Sequence, residues 1–211
     1  MSPAAVQMLK DVSYAYGPIS NLTIAEIEIN DATIGILNEL DLFRLFVHEC
    51  SFSTEVASKL AELKVAGVFK FIQCDIDDSH IAAMHDIDSP YSFGVGGSKR
   101  VTGIGFRSWP EKTNTRDLSL YGSGITDEGS EALSCFTQLE KLDLTETSIT
   151  SKGLFGLLRF PLLLGPGVPQ DITPDMKSRK VLLKEYNRRY RELYEVDGKL
   201  PYRGLPYAIL D

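Results

Sequence analysis

Cysteine and histidine are scarce in this chain, with three of each among 211 residues. The cysteines, Cys50, Cys74 and Cys135, are odd in number and form no CxxC pair, which excludes a fully paired disulfide framework and fits a reducing compartment. His80 and His85 stand five apart rather than four, so they do not offer the two ligands on one helix face that a zinc site needs. Basic residues are also in deficit: 22 Lys and Arg face 29 Asp and Glu, a net charge of −7 that argues against general affinity for nucleic acid or membrane surfaces. No uncharged apolar run approaches the length of a membrane span. The opening "MSPAAVQMLKDVSYAYG" has no basic region followed by an apolar one, so no secretory signal is read and a cytoplasmic location is expected. Phosphate and calcium loops fare no better. "GVGGSKR" lacks the GxxxxGK[ST] spacing, and "CDIDDSH" lacks the glycine and terminal glutamate of a calcium loop. No cofactor and no metal are therefore expected, and no carboxylate pair stands out from the general acidity.

A repeat is present instead. With Leu139 as the first place of a unit, apolar residues fall at the fourth (Leu142), sixth (Leu144) and eleventh (Ile149) places, with Thr147 at the ninth. Earlier units start at Thr115, Pro90, Ala66 and Leu42, at intervals of 24, 25, 24 and 24 residues. The fourth place then holds Leu45, Phe69, Phe93 and Leu118, and the ninth holds Cys50, Cys74, Ser98 and Ser123. The twelfth holds Ser53, Asp77, Thr126 and Thr150, all helix-capping types. Alternation at the fourth and sixth places predicts a short strand. The small residue at the ninth suits a tight turn, its side chain bonded to the next coil's backbone. Apolar residues three apart in the second half, such as Leu60 with Leu63 and Leu133 with Phe136, predict a short helix. One such unit buries little alone, so successive units must stack on a common core.

Leu-x-x-Leu-x-Leu-x-x-(Cys/Thr/Ser)-x-Ile-(Thr/Ser), continuing as "ITDEGSEAL" and "ITSKGLFGL", resembles leucine-rich repeats, and within them the cysteine-containing and 24-residue bacterial-effector-like subclasses. The resemblance spans roughly residues 24–165. It implies an α/β solenoid with parallel strands on the concave side, short helices on the convex side, and protein binding rather than catalysis.

Three stretches break the pattern. A first coil read as Ile24, Ile27 and Ile29, with Ala32 and Ile34, reaches the next start after 18 residues and is expected to lack a full helix. The Pro90 unit has Arg100 at its eleventh place, and "RVTGIGF" alternates like a displaced strand, so an irregular coil is expected over 90–114. After Leu164, "GPGVPQDITP" ends the register. The expected organisation is thus an N-terminal cap segment over 1–23, the array over 24–165, and a capping helix and tail over 166–211. The helix, in "DMKSRKVLLKEYNRRYRELYEV", carries its apolar stripe at Leu182, Leu183, Tyr186, Tyr190, Leu193 and Tyr194. Val12, Tyr14, Tyr16 and Ile19 are the inward set of the N-terminal segment if it covers the first coil.

The third, fifth, seventh and eighth places of each coil face a partner in such a solenoid. They are Glu26, Glu28, Asn30 and Asp31 in the first coil; the Pro90 coil stays unassigned. The candidate partner-binding set is Arg44, Phe46, His48, Val68, Lys70, Ile72 and Tyr121, an apolar group with cationic and aromatic anchors. His48 and Cys50 invite a Cys–His dyad, but their places point them to opposite sides. The expected partner is another protein of unknown identity. Two alternatives stand beside it: a substrate-recognition or adaptor part of a larger enzyme assembly such as a ubiquitin ligase, and nucleic-acid binding through Lys180, Lys184, Arg188, Arg189 and Arg191. Interspersed Glu185, Glu192 and Glu195 weigh against the latter.

Overall fold

A computed structural model describes residues 19–88, 90–163 and 166–167 and the helix Met176–Tyr194. Its centre is a parallel sheet of six strands in sequence order: β1 (Leu22–Ala25), β2 (Leu42–His48), β3 (Val65–Ile72), β4 (Ser92–Gly96), β5 (Asp117–Ser119) and β6 (Lys141–Asp143). Consecutive strands pair so that Leu22, Leu45, Phe69, Phe93, Leu118 and Leu142 form one continuous row. The last five of these are at most 1% exposed. The fourth-place column is therefore a physical ladder, and the layout is a stack of α/β coils. Phe71, Val95, Leu120 and Leu144 extend the sixth-place column beside it, each fully buried.

Each strand is followed by a short helical segment on the other side of the core: α1 (Asp31–Leu37), α2 (Thr54–Ala61), α3 (Asp78–Ala83), a 3₁₀ turn (Ile104–Ser108), α4 (Asp127–Ala132) and α5 (Ser151–Gly156). Ser53, Asp77, Thr126 and Thr150 are N-caps, as the twelfth-place column predicts; each accepts backbone N–H groups that would otherwise be orphaned. Asp77 also accepts from the Ser79 hydroxyl at 2.6 Å and lies 2.8 Å from His80, contacts that hold its carboxyl well below the usual range.

Every coil turns out of its strand through a left-handed residue at the eighth place: Glu26, Glu49, Gln73, Gly97, Gly122 and Glu146, with φ between 50° and 74°. Four of the six are not glycine, so the stack holds a conformation that costs each of them about 1 kcal/mol. The sheet hydrogen bonds on either side compensate.

Several expectations change. The first coil is in register five residues earlier than its isoleucines suggested. Leu22 and Ile24 pair with Leu45 and Val47, so Ile27 takes the ninth place and is exposed, while Ile29 takes the eleventh and is buried. The pattern 1–4–6–9–11 overlaps itself when shifted by five, which is why both readings fit the isoleucines. The coil does possess a helix, α1, capped by Asn30. Its partner-facing residues are then Asn21, Thr23, Ala25 and Glu26, and Glu28, Asn30 and Asp31 belong to the turn and helix start. The expected boundary at 23/24 also falls within β1, and Ile19 already bridges to Leu42.

The Pro90 coil keeps its strand at Ser92–Gly96, and "RVTGIGF" runs into the 3₁₀ turn instead of a displaced strand. Its extra residue lies in the Lys99–Arg100 turn, which leaves Val101, fully buried, in the eleventh place and Arg100 exposed on Asp75. Trp109 fills the column of Met84 and Leu133, its ring tilted against Phe93 at 5.3 Å and edge-on to Phe106 at 4.9 Å. Lys112 occupies the column of Leu63, Ile87, Phe136 and Phe160, 4% exposed, its ammonium donating to the carbonyls of His85 and Ile87. Register also outlasts Leu164 at one point, because Gly167 bridges in parallel to Asp143 and exchanges backbone hydrogen bonds with Leu142 and Leu144.

None of the ninth-place side chains bonds forward: Ser123 and Thr147 donate within their own coils, to Leu120 O and Leu144 O, and the earlier ones bond backward. Cys74 donates to Val47 O and Ser98 to Cys74 O, both in the preceding coil.

The helix α6 (Met176–Tyr194) buries Leu182 and Tyr186 in the same core cluster. Arg189, 9% exposed, donates to Phe160 O at 2.6 Å and to Leu158 O, and pairs with Glu185. Two contacts from Arg188 and Arg189 hold the Glu185 carboxyl down at about 2. The side chains of Leu183, Tyr190, Leu193 and Tyr194 lie outside the described residues, as do Val12, Tyr14, Tyr16, the rest of the N-terminal segment and the tail after Tyr194. Among the described residues no helix is long and apolar enough to cross a membrane.

Candidate functional site

Side chains at the odd places of each strand leave the core on the face opposite the helices. Strand register then sets which of them are neighbours, because adjacent parallel strands lie about 4.8 Å apart. Arg44 sits beside Val68, Phe46 beside Lys70, and His48 beside Ile72. All six are half-buried, so they form one contiguous patch across β2 and β3. Arg44 is held at its rim by Asn21 and by the Phe43 ring, 5.3 Å away.

Tyr121, the seventh expected residue, lies two coils further on. Between it and Ile72 the sheet is floored by glycine: Lys70 pairs with Gly94 and Ile72 with Gly96. The result is a hollow of about 650 Å³ walled by Lys70, Ile72, Lys99, Tyr121 and Glu146. A Cβ at Gly94 would lie 3.0 Å from Ser119 O and 3.2 Å from Lys70 Cγ, tighter than ordinary contact. Gly96 differs. A Cβ there would meet only Tyr121 O at 3.5 Å, ordinary contact, so nothing inside the fold demands a glycine in this strand.

The far wall is hydrogen-bonded within itself. The Tyr121 hydroxyl donates to Glu146 Oε1 at 2.7 Å, which raises the phenol pKa. Lys99 donates to the Glu146 carbonyl at 3.1 Å, and Asp143 accepts from the Thr145 N–H and hydroxyl. These bonds fix the orientation of Tyr121 across the hollow from Ile72.

The His48–Cys50 pair diverges as its places require. His48 Nδ1 lies 3.6 Å from Glu49 on the open face, while the Cys50 thiol is 1% exposed and directed at His48 O and Ile24 O. His80 and His85 are likewise engaged locally. His80 Nε2 donates to Phe52 O at 3.0 Å, and His85 Nδ1 lies 3.1 Å from Ala82 O. On α6, Arg188 is paired with Glu185 and Glu192, and Arg189 is turned inward.

No protein-family model matches the chain, and no curated protein matches it either. The open face therefore has to be read from its own chemistry.

Sequence reasoning placed Arg44, Phe46, His48, Val68, Lys70 and Ile72 together, and they are together. It missed the hollow and its Lys99 wall. "GVGG" was the available signal, and it reads as a broken strand until the register shows that Gly94 and Gly96 stand in it.

Proposed function

We propose that this chain is a non-catalytic, leucine-rich-repeat-type interaction module that binds a partner protein across the open face of its sheet. The observation that carries this reading is the contiguity of Phe46, His48, Val68 and Ile72 with Arg44 and Lys70 on a face that, among the described residues, no helix covers. Half-buried apolar side chains ringed by cations are what the centre of a protein interface needs, and desolvating them releases free energy in proportion to the apolar area. α6 serves the other end as a capping element, its Leu182 and Tyr186 covering the last coil's core. The internal pairing of Arg188 and Arg189 favours that role over a nucleic-acid surface.

The test is affinity capture with the full chain, comparing wild type, Phe46→Asp/Ile72→Asp and a helix-side control, Glu55→Ala/Lys152→Ala. The face variant is expected to lose the captured partner, and the control to keep it. Because Phe46 and Ile72 are only half-buried, the face variant should unfold cooperatively with a loss of about 1–2 kcal/mol. Partner retention by the folded face variant would refute the reading.

A further inference from the structure

The lining of the hollow is electrically balanced. Lys70 and Lys99 stand with Asp143 and Glu146. Both carboxylates take their hydrogen bonds from neutral donors, Thr145 and Tyr121, and so keep their charge. Lys70 makes no hydrogen bond or ion pair among the described residues. A face that carries both signs selects neither an acidic nor a basic ligand. What it can match is another surface with the same charges in reversed order.

The strand register supplies that reversal. In the fifth-place row Lys70 pairs with Gly94, Gly94 with Ser119 and Ser119 with Asp143, so a cation and an anion close the two ends of a row whose middle is small. In the seventh-place row Ile72 pairs with Gly96, and Tyr121 follows, its carbonyl oxygen 3.5 Å from where a Gly96 Cβ would lie. The seam between β4 and β5 bisects both rows. A two-fold axis along that seam, parallel to the strands, lays β3 of one copy over β6 of another and β4 over β5. Lys70 then meets Asp143, and Gly94 meets Ser119. Tyr121 comes down over Gly96. Because it leans towards Glu146 in the β6 coil, its ring is turned towards the other copy's Ile72. Gln73 and Glu146, both at the eighth place, bring an amide donor against a carboxylate. No like charges oppose one another in these rows.

We propose that the occupant of the open face is a second copy of this chain, docked through β3 to β6 about that axis. This inference rests on the open-face reading and names the partner. A two-fold contact needs a patch complementary to itself. Three pairings meet that need together: Lys70 with Asp143, Ile72 and Gly96 with Tyr121, and Gln73 with Glu146. Sheets packed face to face lie about 10 Å apart, a gap that a tyrosine over a glycine fills. Four short strands on each copy make a contact at the low end for specific association, below about 1,200 Å² in total, so a dissociation constant of roughly 10–100 μM is expected.

The experiment is sedimentation velocity on the full chain over roughly 5–500 μM, across which the wild type is expected to pass from monomer to dimer. Lys70→Glu and Asp143→Lys should each weaken the dimer about tenfold or more. An equimolar mixture of the two, each shown to be folded by circular dichroism, should dimerise again, because the mixed pair restores both ion pairs. Gly96→Leu, which blocks the seat of Tyr121 without touching a charge, should weaken the dimer comparably while the chain stays folded. The helix-side Lys152→Glu should change it by less than about twofold. A chain that is monomeric throughout, a dimer that ignores Lys70→Glu and Gly96→Leu, or a folded mixture that stays monomeric would overturn this inference. Each of these leaves the open-face reading standing, with a foreign protein as occupant, where a partner captured by the wild type is lost in Phe46→Asp/Ile72→Asp. Capture unchanged by that double variant would overturn both.

Discussion

Asp78 reaches out of its own coil to hold Thr102 in the next, accepting from the Thr102 N–H at 3.0 Å and its hydroxyl at 2.5 Å. The same carboxylate accepts from the N–H groups of Gly103 and Gly105, at the start of the 3₁₀ turn Ile104–Ser108. Asp127 repeats the clasp two coils later, on the Thr150 N–H at 2.7 Å and hydroxyl at 2.6 Å. An aspartate following the cap residue thus bonds successive coils on the helix side, where no sheet ladder exists to do so. Asp78→Ala is expected to cost about 3 kcal/mol, since it strands several backbone donors at once. Asp78→Asn, which keeps an acceptor, is expected to cost about half of that. Urea unfolding of both variants checks the ordering.

Gly129 sits where coils approach most closely. A Cβ there would lie 1.8 Å from Thr102 O, and the corresponding Gly105 and Gly153 are similarly hemmed in, at 2.4 Å from Asp78 O and Asp127 Oδ1. Gly129→Ala should therefore destabilise by about 3 kcal/mol through forced separation of the coils. Gly35, within α1, has nothing within 4 Å of the same position, so Gly35→Ala should stabilise by about 0.5–1 kcal/mol. Opposite signs for one chemical change make the pair a sharp test by thermal unfolding.

Burial pushes the Cys74 thiol up to about 11 and the Cys135 thiol up to about 12. At pH 8 only about a thousandth of Cys74 is thiolate in the folded chain. Iodoacetamide should then label Cys74 and Cys135 far more slowly in native than in urea-unfolded protein. The linkage follows from the same shift. Unfolded thiols ionise near pH 8.5 while the folded ones stay protonated, so their contribution to stability is complete below that pH and is lost as pH rises towards 11. Labelling of native Cys74 at the unfolded rate would contradict this.

Arg189 carries the docking of α6, with its buried guanidinium on the carbonyls of Leu158 and Phe160. Arg189→Ala is expected to cost about 2–3 kcal/mol at this junction. Hydrogen exchange should quicken in 176–194 and after α5, while β2, β3 and β4 keep their protection.

Much of the stack was legible because its columns carry redundant information. Leu45, Phe69, Leu118 and Leu142 announce the ladder by size and period, and Ser53, Asp77, Thr126 and Thr150 announce the helix starts by chemistry. What stayed hidden depends on contacts between coils. Nothing local distinguishes Asp78, which clasps Thr102, from an aspartate that merely favours a helix start. Glu26, Glu49, Gln73 and Glu146 adopt a left-handed turn with no glycine to mark it. Lys112 fills an apolar column because carbonyls from the preceding coil receive its charge. The adjacency of the candidate residues was legible over β2 and β3, where side chains report it. It was not read at β4, where glycines report it by having none.

Site-specific photo-crosslinking tests the role of the open face most directly. A benzoylphenylalanine placed at Ile72, and in a parallel sample at Glu55 on α2, is irradiated with the captured partner, and adducts are quantified by mass spectrometry. An adduct at Ile72 that greatly exceeds any at Glu55 is the predicted result; equal or greater yield at Glu55 would contradict the account.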